Sequence, residues 1–267
     1  MNETAPPLSP LDALRFAFGT LTVLPVKVTR WDRTAARGGM AFAPLVGLVV
    51  GLFAAIAASV LVAMGANGLL AGVAAVAVPA VLTRGLHLDG LADTADGLGS
   101  GAPAEGALRI MKQSDIGPFG VMTLVLVLLG QAAAVGACYG HGWVYGGTAV
   151  LVAAVAGRTG MTLACRSGIP AARPGGLGAS VAGAVPASAA WVTAAGIAAL
   201  GAAAGAPFGG LTAVRGLVAV GAGLLCGEGL LRRCRRRFGG VTGDVFGAVC
   251  EAGVTAALVV LALRGGG

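Results

Sequence analysis

Charge is scarce in this sequence: Asp, Glu, Lys and Arg together make up 11% of its residues, against about 25% in soluble globular domains. Aromatic residues are also few, at 5%. With so little charge and a mean hydropathy of +0.88, the chain is not expected to be a soluble protein. We therefore predict an integral membrane protein that is all-α, because its apolar runs are long enough for transmembrane helices.

Neither a cysteine-based metal site nor a cleaved signal peptide is indicated. The 5 cysteines show no Cys-x-x-Cys spacing, and most lie in apolar runs, so we expect them to be core residues. Residues 1–7 lack the basic and apolar regions of a signal peptide. A net charge of +7 could indicate nucleic acid binding in a soluble protein. Here the basic residues fall in short loops between apolar runs, and we expect no nucleic acid partner.

Seven apolar runs predict a polytopic helix bundle, a single domain over residues 1–267 with about seven transmembrane helices. The runs are 40–64, 69–82, 119–138, 143–165, 181–205, 211–231 and 244–263. The second run is too short to span alone, so we expect its helix to continue through Arg84 and His87. Residues 11–26 are too short and too charged for a span, and they predict an N-terminal interfacial or re-entrant helix.

The distribution of Lys and Arg predicts the orientation in the membrane. If the N-terminus is cytoplasmic, all 18 Lys and Arg residues except Arg215 and Arg264 fall on the cytoplasmic side, as the positive-inside rule requires. We therefore expect the acidic segment, the loop at Arg166 and Asp244 to form a single site that faces the cytosol. The arginines at 232–237 are expected to serve topology and lipid contact.

The segment His87–Gly97 contains three of the 11 acidic residues of the chain. On a helix, Asp89, Asp93 and Asp96 stand at i, i+4 and i+7, within about 60° of one another. An acidic run on a helix is commonly a solvated face, but this one follows an apolar run and precedes cations. Because Mg²⁺ takes oxygen ligands and keeps waters for a phosphate, these three carboxylates predict a Mg²⁺ site.

A second acidic element lies at the start of the last apolar run. Asp244 could be the N-cap of that helix, but it is also a candidate metal ligand. Glu251 lies two turns further into the same run, where an ionised side chain costs about 3 kcal/mol and should have a partner. Arg158, which also lies inside an apolar run, is one candidate for that partner.

Several basic residues could bind substrate phosphates. His87, two residues before Asp89, could bind a phosphate or transfer a proton, although it could equally be an interfacial polar residue. The predicted substrate-binding set consists of five cations and one carboxylate: Arg109, Lys112, Arg158, Arg166, Arg173 and Glu251. Each cation outside the apolar runs is equally well placed as an ordinary positive-inside residue.

Metal-bound carboxylates beside cations at one membrane face suit chemistry on a diphosphate, because both stabilise a leaving phosphate. The residues alone lead no further than this reaction class. A CDP-alcohol phosphotransferase or a prenyltransferase would use the same logic and stays an alternative, although the Asp-Gly-x-x-Ala-Arg pattern of the former is absent after Asp96. A transporter is less favoured because its polar groups should lie near the bilayer midplane.

With these motifs in order, the sequence resembles the cobalamin synthase (adenosylcobinamide-GDP ribazoletransferase) family over nearly its whole length. The segment His87–Gly97 is the most specific marker. The other markers are Leu24–Val26, Pro44–Gly47, Ile110–Lys112, Gly117–Gly120, Gly157–Arg158, Gly176–Gly178 and Thr242–Ala248. The sequence departs from the family at Gln113 and Asp115, where many members have an acidic and then a basic residue.

The resemblance implies a Mg²⁺-dependent enzyme of the inner (cytoplasmic) membrane, with its active site on the cytoplasmic side, that performs the last step of nucleotide loop assembly in cobalamin biosynthesis. Its substrates would be adenosylcobinamide-GDP and α-ribazole or α-ribazole 5'-phosphate. Asp89, Asp93, Asp96 and Asp244 would hold Mg²⁺ on the diphosphate while the ribazole 5'-hydroxyl attacks and GMP leaves. Asp96, or else His87, would take the hydroxyl proton as the catalytic base. Whether the protein is a homo-oligomer stays open.

Overall fold

The computed structural model describes residues 8–263, so the expectations about residues 1–7 and Arg264 lie outside the described part. In chain order the helices are α1 (Pro10–Leu21), α2 (Arg33–Ala41), α3 (Ala43–Ala63), α4 (Gly68–Leu82), α5 (Leu86–Gly99), α6 (Ala104–Ile110), α7 (Pro118–Gly140), α8 (Trp143–Ala164), α9 (Leu177–Val181), α10 (Ala187–Gly205), a 3-10 turn (Ala206–Phe208), α11 (Gly210–Phe238) and α12 (Gly243–Ala262). Between residues 8 and 263 there is no strand, only two isolated β-bridges. The predicted all-α fold is confirmed.

Six helices, α3, α7, α8, α10, α11 and α12, are long and apolar enough to cross a membrane. The pair α4 and α5 together makes a seventh candidate span. This agrees with the expectation of about seven transmembrane helices in a polytopic bundle. The N-terminal α1 is not among the candidate spans, as expected for residues 11–26.

The junction of α4 and α5 differs from the prediction. The two helices meet at an angle of 92°, because Arg84 and Gly85 adopt positive φ angles of 53° and 70°, which right-handed helices do not allow. The expectation of a continuous helix through Arg84 and His87 is therefore wrong. The acidic segment forms a separate helix with a direction of its own.

Two other boundaries also differ. The fifth span begins at Ala187 rather than at residue 181, because residues 177–181 form the separate helix α9 and Pro186 starts α10. α11 continues to Phe238, so the arginines at 232–237 lie in its last turns rather than in a loop. Arginine is a good helix former, and its positive charge is favourable at a helix C-terminus.

Polar side chains cap the N-termini of the first two helices. The Ser9 hydroxyl accepts the N–H of Asp12 at the start of α1. The Asp32 carboxylate accepts the N–H groups of Thr34 and Ala35 at the start of α2. The N–H of Ala35 and then the Arg30 guanidinium lower the pKa of Asp32 below its usual value. α1 packs against α2 through the buried Phe16.

α8 is the central helix and packs against α3, α7, α10, α11 and α12. Small residues bring neighbouring backbones together: a Cβ at Gly201 of α10 would lie 2.9 Å from the carbonyl oxygen of Gly216 in α11. Such close approach is typical of membrane helices. All five cysteines are free; Cys226 is exposed, whereas the other four are buried as expected.

Candidate active site

The acidic helix α5 crosses the start of α12 with the two backbones in direct contact. A Cβ at Gly90 would lie 2.6 Å from the carbonyl oxygen of Asp244, and one at Gly247 would lie 2.9 Å from the Cα of His87. Any larger residue at Gly90 or Gly247 would push the helices apart. The crossing therefore places Asp89 and Asp93 of α5 near Asp244, although more than 150 residues separate them from it in sequence.

The predicted carboxylates share one electrostatic environment. Asp93 is partly buried, and the charges of Asp89, Asp244 and Asp96 all act on it. Within residues 8–263, however, no group of three or more His, Cys, Asp or Glu side chains could hold a metal ion as it stands. The carboxylates are close neighbours without forming a preassembled metal cage, and the predicted Mg²⁺ site stays a prediction.

Two cavities meet at this end of the bundle, and both are lined by Thr20, Leu86 and Asp89. The smaller, of about 300 Å³, also contains Asp244 and Arg173. The larger, of about 930 Å³, contains Asp93 and residues 111–116. Asp89 therefore faces both cavities, whereas Asp244 and Asp93 each face one.

Arg173 is the predicted substrate-binding cation that lies closest to the acidic group. Its Nη2 is 3.4 Å from Oδ2 of Asp244, while its buried Nε has no hydrogen-bond partner in the described part of the chain. The Thr242 hydroxyl donates to the same Asp244 oxygen at 3.0 Å and also accepts the N–H of Val245 as the N-cap of α12. Thr242, rather than Asp244, is thus the N-cap of α12, and the interpretation of Asp244 as the cap is wrong.

Lys112 and Arg109 are in different positions although they are close in sequence. Lys112 is exposed and lines the larger cavity with Asp89 and Asp93. Arg109 is exposed on α6 and lines neither cavity. The structure therefore brings Lys112 to the acidic group and leaves Arg109 outside it.

The Asp96 carboxylate contacts the start of α7. Its Oδ2 accepts the N–H of Gly117 at 2.8 Å and its Oδ1 accepts the N–H of Gly120 at 2.9 Å. Asp96 lines neither of the two cavities. Its predicted role as metal ligand and base stays a prediction, which these contacts do not favour.

His87 lies between the smaller cavity and the interior of the bundle. Its side chain is buried, Nη2 of Arg158 approaches its Nδ1 to 3.5 Å, and its Nε2 has no partner among the described residues. Because a guanidinium can only donate, Nδ1 is the acceptor and Nε2 carries the proton of the neutral ring. In this arrangement His87 is suited to donate a hydrogen bond rather than to accept a proton.

Glu251 and Arg158 line a third, narrow cavity of about 60 Å³ inside the bundle, together with His87 and Gln131. The hydrogen-bond partner of Glu251 is Gln131, whose Nε2 donates to it at 2.9 Å. Arg158 acts on Glu251 electrostatically without a close ion pair among the described salt bridges. Neither residue lines the two larger cavities, so direct contact with substrate, which the sequence predicted, is not favoured.

Arg166 contacts residues outside the two larger cavities. Its guanidinium donates two hydrogen bonds of 3.0 Å to the Glu228 carboxylate and lies over the Trp191 ring. It lines neither larger cavity.

Three hydrogen-bond partners of the predicted site residues were not predicted from the sequence: Gln131, Glu228 and Thr242. Of these, Gln131 had a usable signal, since it is an amide in an otherwise apolar run.

Comparison with known proteins places the chain in a family. A family model described as cobalamin-5-phosphate synthase matches residues 13–262. A relative from Frankia casuarinae, named adenosylcobinamide-GDP ribazoletransferase, is 41% identical and the match covers 93% of this chain and 94% of the relative. Relatives of the same name from a Nocardioides species and from Brevibacillus brevis are 39% and 34% identical, with 95% and 94% of this chain and 99% and 98% of those relatives covered. No solved structure matches.

Proposed function

The chain belongs to the cobalamin-5-phosphate synthase family, and we propose that it acts as an adenosylcobinamide-GDP ribazoletransferase. It transfers the adenosylcobinamide phosphoryl group to the 5'-hydroxyl of α-ribazole or of its 5'-phosphate. The products are adenosylcobalamin or its 5'-phosphate and GMP, which completes the nucleotide loop. Family membership leaves the alternative of a CDP-alcohol phosphotransferase or prenyltransferase without support.

One observation supports this chemistry above the others: Asp89 and Asp244 face the same cavity as Arg173. Carboxylates that can hold a divalent cation and a guanidinium that can hold phosphate oxygens are the two groups that a diphosphate needs. Lys112 adds a second positive charge from the wall of the neighbouring cavity.

Mg²⁺ fits this site when a diphosphate is bound with it. In phosphate sites Mg²⁺ uses one or two carboxylates and completes its shell with waters and phosphate oxygens, so three preplaced ligands are not needed. Asp89 and Asp244 are the carboxylates of the smaller cavity and would hold the ion. When bound, Mg²⁺ would neutralise charge on the diphosphate and on the departing GMP.

The residues of the chain then have separate tasks. Arg173 and Lys112 bind phosphate oxygens, and His87, which lines the smaller cavity, has an unpartnered Nε2–H with which to donate a hydrogen bond. The ribazole 5'-oxygen forms a bond to the phosphorus that carries cobinamide, and the bond from that phosphorus to GMP breaks. Asp93, the α5 carboxylate that faces only the larger cavity, takes the hydroxyl proton.

The proposed location is the inner membrane, with the N-terminus and the active site facing the cytoplasm. The positions of Lys and Arg favour this orientation. The two larger cavities also lie at the end of the bundle where α7 and α12 begin and where α8 and α11 end. That end carries Lys112, Arg173 and the arginines of α11, as expected for a cytoplasmic face.

The test is a reconstituted reaction. The detergent-purified protein is incubated with adenosylcobinamide-GDP, α-ribazole and Mg²⁺, and GMP and the corrinoid product are followed with and without EDTA. We expect GMP and a cobalamin to form in equal amounts and only when α-ribazole and Mg²⁺ are present. GMP release without α-ribazole, or no product from a folded sample, would reject the proposed transfer.

A further inference from the structure

The N-terminus of α7 lacks a cap from its own segment. Its N-cap residue is Gly117, which has no side chain to accept the free N–H groups of the first turn. Asp96 of α5 accepts two of these groups: Gly117 and Gly120 donate their N–H groups to its two carboxylate oxygens at 2.8 and 2.9 Å. We infer that Asp96 is a positioning residue, which fixes the start of α7 and the segment before it against the acidic helix.

The two glycines are required by this contact. A Cβ at Gly120 would lie 2.5 Å from Oδ2 of Asp96, and one at Gly117 would lie 2.7 Å from its Cγ. Atoms cannot approach so closely, so a side chain at Gly117 or Gly120 would displace the carboxylate. The Gly117–Gly120 motif and the third aspartate of α5 are therefore two halves of one structural contact.

The residues beside Asp96 continue the same contact surface. A Cβ at Gly97 would lie 2.7 Å from Cγ of Met111, which is buried, and one at Gly99 would lie 2.5 Å from the ring of Phe119. The second half of α5 thus holds both ends of the segment 111–119. The preceding part of α5, from Leu86 to Asp93, faces the cavities.

This division has a consequence for the active site. Residues 112–116, between the two fixed ends, form a wall of the larger cavity together with Asp89 and Asp93. Lys112 is part of that wall. Asp96 therefore acts on substrate binding through the placement of Lys112, without itself touching the substrate.

The charge of Asp96 suits this role. Its carboxylate lies at the N-terminus of α7, a helix of 23 residues, where the helix dipole favours a negative charge. Each oxygen already accepts one backbone N–H, and the residue is only 6% exposed. These features belong to a buried cap.

The first test needs no substrate: hydrogen exchange of the amides of residues 111–121 in detergent. Asp96→Asn keeps the size of the side chain but turns a donor toward one of the two N–H groups. We expect exchange of the Gly117 and Gly120 amides to become about tenfold faster, as the loss of a charged cap predicts. Gly120→Ala should accelerate exchange of the Gly117 amide to the same extent, whereas Gly130→Ala, which meets open space in the same helix, should not.

Unchanged exchange in both Asp96→Asn and Gly120→Ala would overturn the inference. The activity measurement rests on the proposed function and separates a positioning role from a metal-binding role. Both variants should raise the KM for adenosylcobinamide-GDP more than they lower kcat, without raising the Mg²⁺ concentration that gives half-maximal activity. Recovery of Asp96→Asn by additional Mg²⁺ would mean that Asp96 is a metal ligand, and the positioning role would be rejected even if the transferase activity itself stood.

Discussion

Gly90 of α5 lies against the backbone of Asp244 in α12, with no room between the two helices for a Cβ atom. The contact is what brings the acidic helix and the second acidic element to one cavity. Both the stability of the bundle and the alignment of the carboxylates depend on it.

Gly90→Ala is expected to destabilise the protein and lower its activity. The added methyl group forces α5 away from α12, and overpacking of this kind costs about 1–3 kcal/mol. We expect a lower melting temperature in detergent and a loss of turnover. Gly221→Ala in α11 is the matched control because its Cβ would meet open space, and it should leave both quantities unchanged. Equal effects of the two substitutions would contradict the close helix crossing.

Arg173→Ala is expected to weaken binding of the diphosphate substrate. A hydrogen bond to a charged group contributes about 1.5–3 kcal/mol, which corresponds to a rise in KM of about tenfold to a hundredfold. Arg173→Lys should recover only part of the loss, since an ammonium cannot bind two phosphate oxygens as a fork. Steady-state kinetics with varied adenosylcobinamide-GDP measure both values.

The control for Arg173 is Arg109→Ala, because Arg109 is exposed on α6 and lines neither of the larger cavities. Its KM should equal that of the unsubstituted protein. If Arg109→Ala raised KM as much as Arg173→Ala did, general surface charge rather than a defined phosphate contact would be responsible.

Gln131→Leu is expected to destabilise the bundle without a direct effect on substrate binding. The substitution removes the amide that donates to Glu251, and an unsatisfied buried polar group costs about 1–3 kcal/mol. Thermal unfolding should show a lower melting temperature, whereas KM should be unchanged. Thr148→Val is a suitable control, since the Thr148 hydroxyl only bonds the carbonyl of Val144 in its own helix. A change in KM without loss of stability would place Gln131 in contact with substrate.

The proposed orientation predicts which loops react with a membrane-impermeant maleimide. Single cysteines are introduced at Met64, in the turn between α3 and α4, and at Ser114, beside the larger cavity, in a Cys226→Ala background. In sealed right-side-out vesicles we expect labelling at position 64 only. Inverted vesicles should give labelling at position 114 only, and the opposite pattern would reverse the topology.

The spans and the acidic face were predictable because both patterns are local. A run of apolar residues indicates a span within one window, and the spacing of Asp89 and Asp93 places them on one face of a helix. The break at Arg84 and Gly85 was only partly predictable: Gly85 is a possible helix end, but nothing in the sequence indicates the positive φ of Arg84. The acidic helix α5 therefore contains the expected residues, but it lies at 92° to α4 instead of continuing it.

Side-chain partners were the main part of the site that the sequence did not predict. Asp96 bonds residues 21 and 24 positions away, and Gln131 bonds Glu251 across 120 positions. Periodicity within one helix says which face a residue occupies, but not which other helix covers that face. For this reason the spacing alone predicts the same metal-binding role for Asp96 and Asp93, although their surroundings differ.

The most direct test of a single site built from α5 and α12 is a double-mutant cycle on the Mg²⁺ requirement. The Mg²⁺ concentration for half-maximal GMP release is measured for the unsubstituted protein, Asp89→Asn, Asp244→Asn and the double variant. If both carboxylates hold the same ion, each single substitution raises that concentration, and the double substitution raises it by less than the product of the two single effects. Independent, multiplicative effects, or no change in either single variant, would contradict a shared metal site at the helix crossing.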